Sequence, residues 1–113
     1  MQLARVDEIN EVDDGIELLL EINGDLDSFD GHFDEVAILP GVIQIGWALA
    51  YAKIYKIVSE EKLIDSISAL KFQQVIVPGD LVNLSLRLHR DTLVFSFTSG
   101  DKKHSSGKLL LSE

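Results

Sequence analysis

The chain has 113 residues, with 19 acidic and 10 basic side chains, a formal charge of −9, and no cysteine. That length suits one domain, residues 1–113, with a modest core that oligomerisation would enlarge. The acidic balance argues against nucleic acid, whose phosphates need a basic face. Disulfides and thiolate catalysis are excluded, and a hydrophobic content of 46% excludes disorder.

The opening residues 1–10 hold no apolar signal core. Gln44, Lys53 and Lys56 break the longest apolar stretch into runs too short to span a bilayer. A soluble cytoplasmic protein without membrane insertion is the expectation.

Residues 3–9 read as a first strand, and Asp13-Asp14-Gly15 as a turn. Gly15 to Ile22 alternates, with Ile16, Leu18, Leu20 and Ile22 on one face. Asn23-Gly24-Asp25 ends that strand, and residues 25–40 read as irregular. Val42 to Val58 is the one helix. It is apolar on nearly every side, which predicts a helix enclosed by a core. Its lysines fall late, at the negative end of the dipole.

Ile64 to Val77 is strand-like and stops at Pro78-Gly79-Asp80. Leu81 to His89 alternates, as does Leu93 to Thr98, and Ser99-Gly100-Asp101 reads as a hairpin turn before a last strand over 104–112. Two strands, one long apolar helix and about four strands on short connections predict an α+β architecture, with an antiparallel sheet against the helix.

Two blocks carry a more specific likeness. Gly31-His32-Phe33 stands a short gap before Leu39-Pro40-Gly41-Val42 at the helix start, and the helix continues Ile43-Gln44-Ile45-Gly46-Trp47. The second block runs Lys71-Phe72-Gln73-Gln74-Val75-Ile76-Val77-Pro78-Gly79-Asp80. Together, and in this order, they resemble the 3-hydroxyacyl-[acyl-carrier-protein] dehydratases, above all the small dehydratases of aryl polyene pathways. The resemblance implies a hotdog fold, in which a sheet wraps one central helix. It also implies a homodimer with sites at the interface, where a histidine of one subunit faces an acid of the other. The substrate it implies is an acyl thioester on acyl carrier protein or coenzyme A, with no cofactor and no metal.

Dehydration needs a base for the C2 proton, an acid for the departing hydroxyl and a donor for the thioester carbonyl. His32 is the candidate base, since a neutral imidazole titrates near working pH. Outside that motif the same residue would read as a structural histidine. Gly41 opens the helix, where free N–H groups point outward and a glycine admits close approach, so its amide is the candidate carbonyl donor. A plain cap is compatible with that role. Pro40 sets the approach to the helix, and Gly31 and Phe33 shape the loop.

The sequence departs from the family pattern where the acid belongs. The resemblance places an Asp or Glu fourteen residues after the histidine, and this chain has Gly46 there. Helical glycine is roughly 0.5–1 kcal/mol worse than alanine. A close neighbouring chain, space for substrate, or drift after loss of catalysis are the three accounts. The family's proline after Gly-His-Phe is replaced by Asp34, either a solvated loop carboxylate or an orienting partner for His32.

His89 and His104 lack partners at ligand spacing and read as surface residues. Trp47 and Tyr51, four apart, read as packing. Lys53, Lys56, Lys71, Lys102 and Lys103 are the bases on hand for docking an acidic carrier protein, or are simply solvated. Three functions follow. The chain is a dehydratase-like enzyme, a hotdog thioesterase, or a non-catalytic acyl-binding subunit whose active homologue supplies the acid.

Overall fold

A computed structural model describes residues 2–26 and 38–113. Alternation along the chain decides its sheet. The strands are β1 (Arg5–Val12), β2 (Gly15–Glu21), β3 (Ile64–Phe72), β4 (Leu81–His89), β5 (Thr92–Ser99) and β6 (Lys102–Leu111), with one helix, α1 (Gly41–Ile54), between β2 and β3. They form one antiparallel sheet in the order β1-β2-β4-β5-β6-β3. Ile16, Leu18 and Leu20 of β2, Val82, Leu84 and Leu86 of β4, and Leu93, Phe95 and Phe97 of β5 all point inward and are buried. Antiparallel registers such as Leu18↔Leu84 and Leu84↔Phe97 bring these residues side by side on one face.

The helix lays one stripe on that face. Gln44, Trp47, Ala48, Tyr51 and Ala52 recur at helical spacing and are buried. Trp47 and Tyr51 are packing residues, as expected, and their rings meet edge to face at 6.2 Å. Both also reach the N-terminal segment. Trp47 Nε1 donates to the Gln2 carbonyl at 3.1 Å, and the Tyr51 hydroxyl to the Ala4 carbonyl at 2.6 Å. Burial, with a smaller push from Tyr55, raises the Tyr51 phenol well above its ordinary range, so it stays a donor. This is the α+β hotdog architecture that the sequence predicts.

The helix is not enclosed on every side, as its composition suggests. Val42 is 74% exposed and Ile54 54%, so the described residues leave apolar surface on its outer side. It also ends at Ile54, four residues short of the expected Val58. Lys56 takes φ +62°, Lys56 N–H returns to Lys53 O, and Ile57 N–H to Ala52 O at 2.8 Å. That is a Schellman ending with lysine where glycine is usual, so no breaker marks it in the sequence.

β3 likewise stops at Phe72 rather than Val77. Its register on β6 slips between Ser68 and Lys71, around Ala69 at φ +52°. Beyond Gln73, whose N–H still reaches His104 O, the chain leaves β6 and crosses to the start of the helix, where Ile76 O accepts from Leu39 N–H at 2.8 Å. The expected turn at Pro78-Gly79-Asp80 is present. Gly79 adopts φ +95°, and the Asp80 carboxylate accepts from Val77 N–H at 3.0 Å.

His104, expected on the surface, is 3% exposed. Thr98 pairs with Lys103 and Phe97 with Ser105, so His104 is an extra residue in β6, and the bulge turns its ring inward. His89 is exposed as expected. Among the described residues no helix is long and apolar enough to cross a membrane.

Tyr51→Phe leaves the Ala4 carbonyl without its partner. Urea unfolding followed by far-UV circular dichroism should show a loss of about 1–3 kcal/mol. An unchanged midpoint would show that the bond contributes nothing.

Candidate functional site

The site is built at the first turn of α1. Leu39 is buried and pinned to Ile76, which fixes the direction from which the chain enters the helix. Pro40 is extended, φ −61° and ψ 147°, and no side chain caps the helix. Its carbonyl accepts from Ile43 and Gln44, each at 3.1 Å. The amides of Gly41 and Val42 come before those, and have no acceptor among the described residues.

A cavity of about 320 Å³ lies there, lined by Ile38, Leu39, Pro40, Gly41, Gln44, Phe72, Gln73, Gln74 and Val75. Its volume falls at the lower end of small-molecule pockets. The half-exposed ring of Phe72 covers Gly41. A Cβ on Gly41 would meet ring atoms of Phe72 at 2.6–3.1 Å, so the absent side chain is what lets the ring lie against the helix start. Behind the cavity, Gln44 Nε2 donates to Leu39 O at 3.1 Å, and its Oε1 accepts from Ser105 Oγ at 2.6 Å. The first helical turn is thereby tied to the lead-in segment and to β6.

Such a place can hold and polarise a carbonyl. The Gly41 amide N–H, strengthened by the positive end of the dipole, suits an oxygen that gains negative charge. Apolar walls beside it suit an acyl chain. Its described lining cannot by itself move a proton. None of the described residues lining the cavity is ionisable.

The structure thus brings Pro40 and Gly41 together at the cavity. Gly46 lies more than a turn further along α1, half-buried, and is not among the lining residues. His32, Gly31, Phe33 and Asp34 lie outside the described residues. Sequence reasoning gave no site role to Phe72, Gln73, Gln74 or Val75, although all four stand in the second motif block. Block two was the available signal, because a loop that must turn back to the helix start is where a wall for it would come from. Among the described residues, no cluster of three His, Asp or Glu side chains could hold a metal.

A family model described as "ApeI-like: ApeI dehydratase" matches residues 8–108, and the chain belongs to this ApeI-like dehydratase family. It is 29% identical over 93 residues to the 3-hydroxyacyl-[acyl-carrier-protein] dehydratase FabZ of Macrococcus caseolyticus. The match covers 75% of this chain and 63% of that protein, so the chain spans less than two thirds of that relative's length. Among solved structures, the dehydratase heterocomplex ApeI:P from Xenorhabdus doucetiae matches with a TM-score of 0.88 at 27% identity, over 99% of this chain and 100% of that one. The dehydratase domain of the polyketide PpsC from Mycobacterium tuberculosis matches with a TM-score of 0.68 at 20% identity, covering 98% of this chain and 44% of that one, which supports the hotdog fold alone.

Gly41→Ala should move the Phe72 ring rather than unfold the protein. Stability should stay within about 1 kcal/mol, since a half-exposed ring can swing aside at small cost. Fluorine NMR of fluorophenylalanine-labelled protein should show the Phe72 resonance shifted. A resonance that does not move would refute the contact.

Proposed function

We propose that the chain dehydrates 3-hydroxyacyl thioesters carried on acyl carrier protein or coenzyme A. The observation that carries this is the Gly41 amide, without an acceptor among the described residues, at a cavity with apolar walls in a member of a dehydratase family. The thioester oxygen lies against the Gly41 amide, which stabilises the charge that develops there when C2 loses its proton. His32, carried in the segment just before Leu39, takes that proton. The hydroxyl leaves C3 as water after accepting a proton, and a C2=C3 double bond forms. The cavity has no ionisable group of its own among the described residues, so both proton transfers depend on groups brought to it.

Gly46 leaves a homodimer to take its proton donor from a water or a displaced group. Where the family likeness places an acid, this chain has none to offer. Two copies pair through the free edge of β3, which bonds only β6 among the described residues and exposes Ile67, Leu70 and Phe72. A second reading follows from the same glycine. The chain pairs instead with a homologous hotdog subunit whose carboxylate completes the site, in keeping with the relative solved as a heterocomplex. We place the protein in the cytoplasm, beside carrier-bound acyl chains.

Incubation with 3-hydroxyacyl carrier protein, read by mass spectrometry, should show loss of one water, and His32→Ala should reduce the rate by at least about a hundredfold. Release of free acid instead would mark a thioesterase, and intact substrate across several chain lengths would sink the homodimeric enzyme. Gly46→Asp should raise turnover of the protein alone. No gain in a folded variant would favour the heterodimer. Ile67→Lys puts a charge on the β3 edge, and analytical ultracentrifugation should then find monomers where the parent chain forms dimers.

A further inference from the structure

His104 is a buried titratable group for which the proposed chemistry has no use. As the extra residue of the β6 bulge it is freed from the strand's alternation, and its contacts are specific. Nε2 lies 2.7 Å from Ser99 Oγ, and Nδ1 lies 3.1 Å from the carbonyl oxygen of Gln74. Its own carbonyl accepts from Gln73 N–H at 2.9 Å. One residue therefore grips two consecutive positions of the segment that walls the cavity opposite Pro40 and Gly41.

Counting protons fixes the roles. The Gln74 carbonyl can only accept, so the 3.1 Å contact requires a hydrogen on Nδ1. The Ser99 hydroxyl has one hydrogen and two acceptors in reach, His104 Nε2 and Leu81 O at 2.8 Å. With a neutral ring, Ser99 donates to Nε2. With a charged ring, Nε2–H donates to Ser99, which then donates to Leu81. Both arrangements keep Nδ1–H on Gln74. The neutral tautomer with hydrogen on Nε2 alone would set two lone pairs against each other.

The segment has little else to hold it. Residues 71–75 are all exposed, Phe72 is the last residue of β3, and β4 begins only at Leu81. Among the described residues the His104 ring makes the one side-chain hydrogen bond to residues 73–75. We propose that His104 is a positioning residue for the cavity. Its Nδ1–H, backed by Ser99, holds the Gln73–Val75 wall at the distance from Gly41 that the acyl thioester requires. The functional half of this proposal rests on the dehydratase reading above.

Ring-nitrogen NMR of the full chain labelled with ¹⁵N-histidine tests the proton count without any substitution. Nδ1 should be protonated, and a bare Nδ1 on His104 would overturn the proposal. Three substitutions then separate the bond from mere bulk. Asn carries an amide N–H near the position of Nδ1, Gln carries one near Nε2, and Phe carries a ring with neither. Hydrogen exchange at Gln73, whose N–H is bonded to the His104 carbonyl, should be at least about tenfold faster in His104→Phe and His104→Gln, with β4 and β5 unchanged, and His104→Asn should restore most of the protection. Equal protection in the parent chain and the Phe variant, or Asn behaving like Gln, would overturn it.

With a 3-hydroxyacyl-pantetheine thioester as probe, His104→Phe should raise KM about fivefold with kcat within about twofold, and His104→Asn should recover KM. A fall in kcat with KM unchanged would contradict a positioning role. If the parent chain turns over no thioester, the dehydratase reading has failed, and the NMR and exchange results decide the clamp on their own.

Discussion

The site depends on where one buried carboxamide is held. Gln44 sits in an otherwise apolar stripe of α1 and touches three parts of the fold at once: its own helix, the Leu39 carbonyl and the Ser105 hydroxyl of β6. No buried side-chain nitrogen or oxygen of the described residues is left without a partner, so this polar node adds no unmet bond to the core. Losing one of its partners would leave a buried polar group unpaired, which is dearer than the bond itself is worth. Gln44 therefore ties the helix start to Leu39 and β6, and the Leu39–Ile76 bond joins that node to the end of the segment that walls the cavity.

Much of this was legible in the residues. β2, β4 and β5 were found because half-buried strands alternate, and their turns carry glycine or aspartate. The misses have local causes. Lys56 ends the helix in a left-handed conformation without a glycine to mark it, while Ile57 and Val58 prolong the apolar pattern. Gln74 to Val77 keep strand-like composition although they have left the sheet. His104 breaks the alternation because a bulge adds a residue, and a period of two cannot announce its own interruption. At the site, Pro40 and Gly41 were legible from helix-start chemistry. Phe72 and the residues after it were not, because their role arises from a crossing between distant segments.

The cavity and the proton chemistry are separable in this molecule. The Gly41 amide is set by the start of α1, while the wall facing it is the exposed segment 72–75. The ionisable groups that the proposed reaction needs are not among the described residues lining the cavity. Membership of a dehydratase family speaks to the scaffold, and function is argued from the site.

The anchoring of the N-terminal segment on Trp47 has an optical consequence. The chain has a single tryptophan. Its indole is fully buried, faces Tyr51 edge-on and spends its one N–H on the Gln2 carbonyl. An indole so enclosed emits at shorter wavelength than one in water, and Tyr51 lies close enough to pass it excitation energy. The protein's intrinsic fluorescence therefore reports on one junction, that of the N-terminal segment with the central helix, with no second tryptophan to confuse the signal.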